Sequence, residues 1–148
     1  METTFRAAGT SDADALLAMM RELYEHERIP FDEPAAGGAL AQLLADEAFG
    51  VAYLMLLGGE AAGYLVITYG FSLEFGGRAA LVDELFVKDE FRGRGAGRAA
   101  LDFAAGVCRA RGIRALRLEV ERVNEAALSV YRKAGFVGHD RHLLTRWL

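Results

Sequence analysis

The sequence predicts an α/β domain of the mixed, α+β kind, and three observations predict it. Apolar residues recur at helical spacing in four stretches, while six others alternate or run together as strands do. The two patterns follow one another in the order β-α-α-β-β-β-α-β-α-β. The length of 148 residues suits one domain, 1–148, with a core of its own, and no repeat, low-complexity tract or linker marks a second.

Residues 3–8 supply the first strand. Ser11 or Asp12 then caps a helix to about His26, whose Leu16, Leu17, Met20, Leu23 and Tyr24 share one face. Pro30 and Pro34 make residues 29–35 a loop. A second helix over 36–45 carries Leu40, Leu43 and Leu44. Residues 51–57 and 60–69 form a hairpin about Gly58-Gly59. Residues 71–77 read as a loop, 79–87 as a strand, and 95–111 as a helix closed by Gly112. Leu116, Leu118 and Val120 alternate in a strand over 115–120. Asn124 caps a helix over 125–134 that Gly135 stops. Residues 139–147 supply a closing strand, whose end, Trp147-Leu148, would help pair two subunits into a homodimer.

Composition narrows the partners. At 53% hydrophobic and 26% charged residues the chain is globular rather than disordered. Cys108 is the lone cysteine, which fits a reducing compartment. Residues 1–5 lack the basic start and apolar run of a secretory leader. The most apolar stretch, 51–57, is far shorter than the roughly 20 residues of a membrane helix. The expectation is a cytoplasmic protein with no membrane partner. Charge divides unevenly: residues 1–84 hold 4 Lys/Arg against 14 Asp/Glu, and residues 85–148 hold 13 against 7. Either two surfaces are differently solvated, or a basic side awaits an anionic ligand and an acidic side a cationic one. Nucleic acid is a poor fit, because the basic residues accompany glycines rather than interleaved aromatics. His139 and His142 point apart on a strand, with no third ligand nearby, so no metal is expected.

The most informative segment is Arg92-Gly93-Arg94-Gly95-Ala96-Gly97-Arg98, between a strand and a helix. Such a turn presents unpaired N–H groups at the positive end of a helix dipole. Its glycines admit a pyrophosphate, and three arginines add charge. A Walker loop fails, since Gly97 is followed by Arg98-Ala99. A dinucleotide fingerprint competes: residues 95–100 satisfy G-x-G-x-x-A, and Glu119 ends the next strand where a ribose-binding acid belongs. Against it, Arg92 and Arg94 would crowd the turn, and too little chain remains for a second nucleotide-binding half.

Arg92-x-x-Gly95-x-Gly97 resembles the acetyl-CoA motif of the GNAT superfamily of N-acetyltransferases. Val82-Asp83-Glu84-Leu85-Phe86-Val87 resembles that superfamily's central strand. The run from Asn124 through Ala127 and Tyr131 to Gly135-Phe136 resembles its later block, so the resemblance covers nearly the whole chain. It implies a GNAT-like mixed central sheet of about six to seven strands, splayed between two central parallel strands and flanked by about four helices. Acetyl-CoA would be the acetyl donor and a small-molecule amine the acceptor. Pantetheine would bond to backbone at Leu85, Phe86 and Val87, and pyrophosphate to the amides of Gly93, Arg94, Gly95, Ala96, Gly97 and Arg98. Asn124, Ala127 and Tyr131 would face it from the following helix. A non-catalytic acyl-CoA-binding or sensing module is the alternative, and a dinucleotide oxidoreductase a more distant one.

Acetyl transfer to an amine needs a base for the amine proton and a donor for the departing thiolate. Tyr131 stands seven residues, two helical turns, after Asn124, with small Ala127 between them on one face. The resemblance assigns Tyr131 the protonation of the thiolate. Asp83 and Glu84 compete as base; alternation lets only one face the site unless a bulge intervenes, and the longer reach of Glu84 favours it slightly. On the acceptor side, Tyr24, Glu27 and Glu74 resemble the substrate-facing residues of small-amine acetyltransferases, though ordinary solvation explains such acids equally well.

Overall fold

The computed structural model describes residues 2–148; Met1, where a leader would start, lies outside them. Five strands make one sheet in the order β1 (Thr3–Ala7), β2 (Gly50–Leu57), β3 (Glu60–Ser72), β4 (Gly77–Val87) and β5 (Ala115–Leu118). Four α-helices accompany them: α1 (Ala13–His26), α2 (Glu33–Ala45), α3 (Ala96–Ala110) and α4 (Glu125–Lys133). The first three pairings are antiparallel, and β4 with β5 is parallel. This is the mixed α/β class that the interleaved periodicities predict. It is not the mostly parallel sheet of a dinucleotide fold.

The sheet is packed on both faces. On one, α1 and α2 bury Leu16, Met20, Leu23 and Leu40 against Ala52, Leu54, Tyr64 and Phe86. On the other, α3 buries Leu101, Ala104 and Cys108 against Leu65, Ile67, Ala80 and Val82. Leu65 and Ile67 serve one side, Tyr64 and Val66 the other. Period-two alternation thus lets β3, with Leu65, Ile67 and Tyr64 all fully buried, join both layers.

Several elements differ from expectation. Helix α2 starts at Glu33, inside the expected loop, because Asp32 accepts from the Ala35 N–H and Pro34 occupies the first turn. There its missing N–H costs no helical bond. Strands β3 and β4 extend to Ser72 and Gly77, so the expected loop over 71–77 shrinks to four residues, 73–76. The ladder outweighs local glycine content. The strand expected over 139–147 does not form: those residues make no strand pairing among the described residues. The described residues thus give the sheet five strands rather than six to seven, with β5 at its edge.

Two features open the site. The β4–β5 ladder runs only from Ala79↔Ala115 to Val82↔Leu118, and beyond Val82 the strands part. At the same point β4 bulges against β3: Val66 pairs with Glu84 but Ile67 with Val82, leaving Asp83 as the extra residue.

Candidate active site

A cleft of about 270 Å³ lies where β4 and β5 part, lined among others by Tyr24, Glu27, Asp83, Glu84, Leu85, Leu118, Glu119 and Tyr131. The bulge explains why both acids line it. In a regular strand Asp83 and Glu84 would point to opposite faces. With Asp83 inserted, both carboxyls reach one cleft, as do Tyr24 and Glu27 from α1 and its end and Tyr131 from α4.

Glu84 is held by two tyrosines. The Tyr64 hydroxyl donates to Glu84 Oε1 at 2.8 Å, and the Tyr24 hydroxyl donates to Oε2. Burial pushes the Glu84 carboxyl above the ordinary range, the two tyrosine bonds oppose that, and Asp83 and Glu27 add to the rise. Asp83, more open to the cleft, is also raised, first by desolvation and then by Glu119. Desolvation likewise raises the Tyr131, Tyr24 and Tyr64 hydroxyls, which keeps them protonated at neutral pH. Four carboxylates around one cleft attract a cation.

Tyr64 is the residue that sequence reasoning missed. It is fully buried and lies opposite Phe86, two places from Val66↔Glu84, on one face of the sheet. In sequence it is one apolar-looking position in an apolar strand. Only the β3–β4 register brings it to Glu84.

The edge of β4 beyond the bulge carries free backbone. The Lys88 N–H bonds the Ala62 carbonyl, so pair alternation turns the N–H and C=O of Phe86 toward β3 and those of Leu85 and Val87 away from it. Of the three residues expected to offer backbone to pantetheine, Leu85 and Val87 have that orientation and Phe86 does not. The Val87 carbonyl already accepts from Arg92 Nε at 2.9 Å.

The turn before α3 has the form of an anion cradle. Gly93 and Gly95 adopt φ of 76° and 80°, left-handed values that favour glycine. The first backward bond of the helix is Ala99 N–H to Gly95 carbonyl, so the N–H groups of Ala96, Gly97 and Arg98 have no carbonyl one turn back. A Cβ at Gly93, Gly95 or Gly97 would meet nothing within 4 Å, leaving the cradle open to a ligand. The arginines are partly engaged. Arg92 pairs with Asp89 at 2.7 Å, Arg98 with Asp102 at 3.3 Å, and Arg94 lies over the Phe91 ring. Arg92 thus braces the turn from beneath.

The remaining expected residues divide. The Asn124 side chain accepts from the Ala127 N–H at 3.1 Å, so it caps α4 and sets the helix that carries Tyr131. Glu74 does not join the cleft; it sits on the β3–β4 turn, forked by Arg141 at 2.8 Å. Among the described residues no helix is long and apolar enough to cross a membrane.

Known proteins share this architecture. The model of the acetyltransferase (GNAT) family matches residues 17–136. A thialysine N-epsilon-acetyltransferase of Bos taurus is 30% identical over 142 residues, covering 88% of this chain and 81% of the relative. An L-methionine sulfoximine/L-methionine sulfone acetyltransferase of Pseudomonas paraeruginosa is 27% identical over 139 residues, covering 92% and 81%. The solved structure of an integron cassette protein from the mobile metagenome of Cole Harbour Salt Marsh superimposes with a TM-score of 0.85 at 36% identity, covering 97% and 90%.

Proposed function

We propose that this chain, an acyltransferase that belongs to the acetyltransferase (GNAT) family, moves the acetyl group of acetyl-CoA to the primary amine of a small molecule. The observation that carries the proposal is the bulged pair Asp83-Glu84 in one cleft with Tyr131. That cleft holds groups of both kinds the transfer requires, a carboxylate to accept a proton and a phenol to donate one.

Acetyl-CoA would supply the activated acetyl thioester. The amides of residues 93–98 would hold its pyrophosphate, and the outward groups of Leu85 and Val87 its pantetheine arm. The acceptor amine enters protonated, drawn by Glu27, Asp83, Glu84 and Glu119. Glu84, or Asp83 beside it, takes one amine proton, and the raised carboxyls bring base and amine closer in proton affinity. The nitrogen–carbon bond forms as the carbon–sulfur bond breaks, and the Tyr131 hydroxyl gives its proton to the sulfur. The second proton that the nitrogen sheds in becoming an amide returns to the phenolate through solvent, as the carboxylate's proton passes to solvent. No residue is acylated on this route. Buried Cys108, packed beneath α3, stays outside the chemistry.

The acceptor is a small amine rather than a bulky one, in keeping with a cleft of about 270 Å³ and with relatives named for thialysine and methionine sulfoximine. The chain works as a single domain, 1–148, in the cytoplasm, where a lone buried thiol stays reduced.

The test pairs calorimetry with an assay. The purified protein is titrated with acetyl-CoA, NADH and NADPH, and thiol release is then followed over a panel of diamines, amino acids and peptide N-termini. Acetyl-CoA binding with amine-dependent thiol release is expected. Binding of acetyl-CoA with no release on any amine would refute the proposed transfer, and selective binding of NADH or NADPH would refute the donor.

A further inference from the structure

The cleft has an apolar lining and a charged one, and they belong to different layers. Val82, Leu85 and Leu118 pack with Tyr131 in the cluster that α3 covers, and all four line the cleft. Glu84 turns to the other layer, where Tyr64 and Tyr24 pack with α1 and α2 and donate to it. A cationic amine is favoured beside the carboxylates, and an uncharged acyl group beside the apolar side chains. Tyr131, the phenol proposed to protonate the sulfur, stands with the apolar set.

One pair in that set has a special place. Val82 and Leu118 are the last partners of the β4–β5 ladder. On one side of them the two strands are joined, and on the other they part, so the pair closes the floor of the cleft. Val82 is itself held between Ile67 of β3 and Leu118 of β5.

The direction of the donor follows from the same register. Read along β3, Val87, Leu85 and Val82 stand opposite Gly63, Leu65 and Ile67. They are therefore evenly spaced, about 7 Å a step, although the bulge puts an extra residue into the second step. With the pyrophosphate on residues 93–98, the arm of the donor runs down β4 past Val87 and then Leu85. That arm carries two amides, then the sulfur, then the acyl group. Whatever follows the sulfur is aimed at the next step of the strand, which is Val82 with Leu118 beside it.

The floor has little room to recede. Val82 is 8% exposed, and Ile67, Leu101 and Ala104 of the same cluster are 2% exposed or less. An interior packed in this way admits an added methylene only through strain.

We infer, on the donor placement already proposed, that Val82 and Leu118 measure the acyl group and stop it at acetyl length. They are specificity-determining residues for the donor, as the carboxylates are for the acceptor.

Calorimetry with CoA, acetyl-CoA, propionyl-CoA and butyryl-CoA reads this stop without any amine present, so that no transfer takes place. Affinity is expected to fall by about 10-fold or more with each added methylene, the factor that one misfitted methylene carries. Leu118→Ala removes three carbons from the floor, where butyryl adds two to acetyl. In that variant butyryl-CoA is expected to gain about 10²-fold in affinity, while CoA, which has no acyl group, binds as before. Butyryl transfer to an amine should appear with it, at an unchanged KM for the amine. Two outcomes overturn the inference and leave the donor reading standing. One is a wild-type chain that binds the three acyl donors alike. The other is a folded variant that keeps the wild-type ratios, including one in which all four affinities fall together. A wild-type chain that does not bind acetyl-CoA overturns the donor reading, and this inference with it. Should Leu118→Ala not fold, Val82→Ala removes two carbons from the same floor and takes its place. Should neither fold, the wild-type series decides.

Discussion

Glu84 cannot turn freely, because a tyrosine from α1 and another from β3 each donate to one of its oxygens. That clamp sets both the direction in which the carboxylate presents itself and its proton affinity. With burial and neighbouring Asp83 and Glu27 raising it, the acid limb of kcat/KM is expected above the ordinary glutamate value of about 4.3. The sign is fixed by the role: the base must be unprotonated, so activity falls as pH drops through the raised value. Tyr64→Phe removes a bond to the ionised form. The limb should then move to higher pH by about 1–2 units, as loss of a hydrogen bond to a charged group implies. A pH–rate profile of the variant checks this, and an unmoved limb would show that Glu84 is not the group being read. On the proposed route Tyr131 gives the other proton. Tyr131→Phe is expected to lower kcat by about 10²- to 10³-fold while acetyl-CoA affinity, measured by calorimetry, holds.

At the level of elements, the bulge in β4 and the early end of the β4–β5 ladder form one device. The bulge brings Asp83 and Glu84 to one cleft, and the parting of the strands makes that cleft. The turn into α3 is the second device, with Arg92 tied to Asp89 and to the Val87 carbonyl so that strand end and turn hold together. Gly97 separates fold from binding there. Its φ is not in the left-handed range, and a Cβ would touch nothing. Gly97→Glu should therefore fold with a native circular dichroism spectrum. A carboxylate among amides that await a phosphate should nonetheless abolish acetyl-CoA binding. Retained binding would move the phosphate site away from this turn. The sequence marked this turn well, because glycines, arginines and a helix start are local signals. It marked the bulge poorly, because a bulge is a relation between two strands.

For the whole molecule, the two apolar layers meet in one strand, with Tyr64 and Val66 of β3 packed on one side and Leu65 and Ile67 on the other. What the sequence determined by itself was whatever rests on neighbours along the chain. The order of strands and helices as far as α4, the caps at Asn124 and Gly112, the cradle at residues 93–98 and the candidates Asp83, Glu84 and Tyr131 are all of that kind. What only the tertiary structure decided rests on register between distant segments. It brought Tyr64 to Glu84, kept Glu74 on the far turn with Arg141, turned the backbone of Phe86 away from the cleft, and left residues 139–147 outside the sheet. Periodicity states which face a residue takes on its own element. Hydrogen bonds between elements state what that face meets, and no local pattern encodes them.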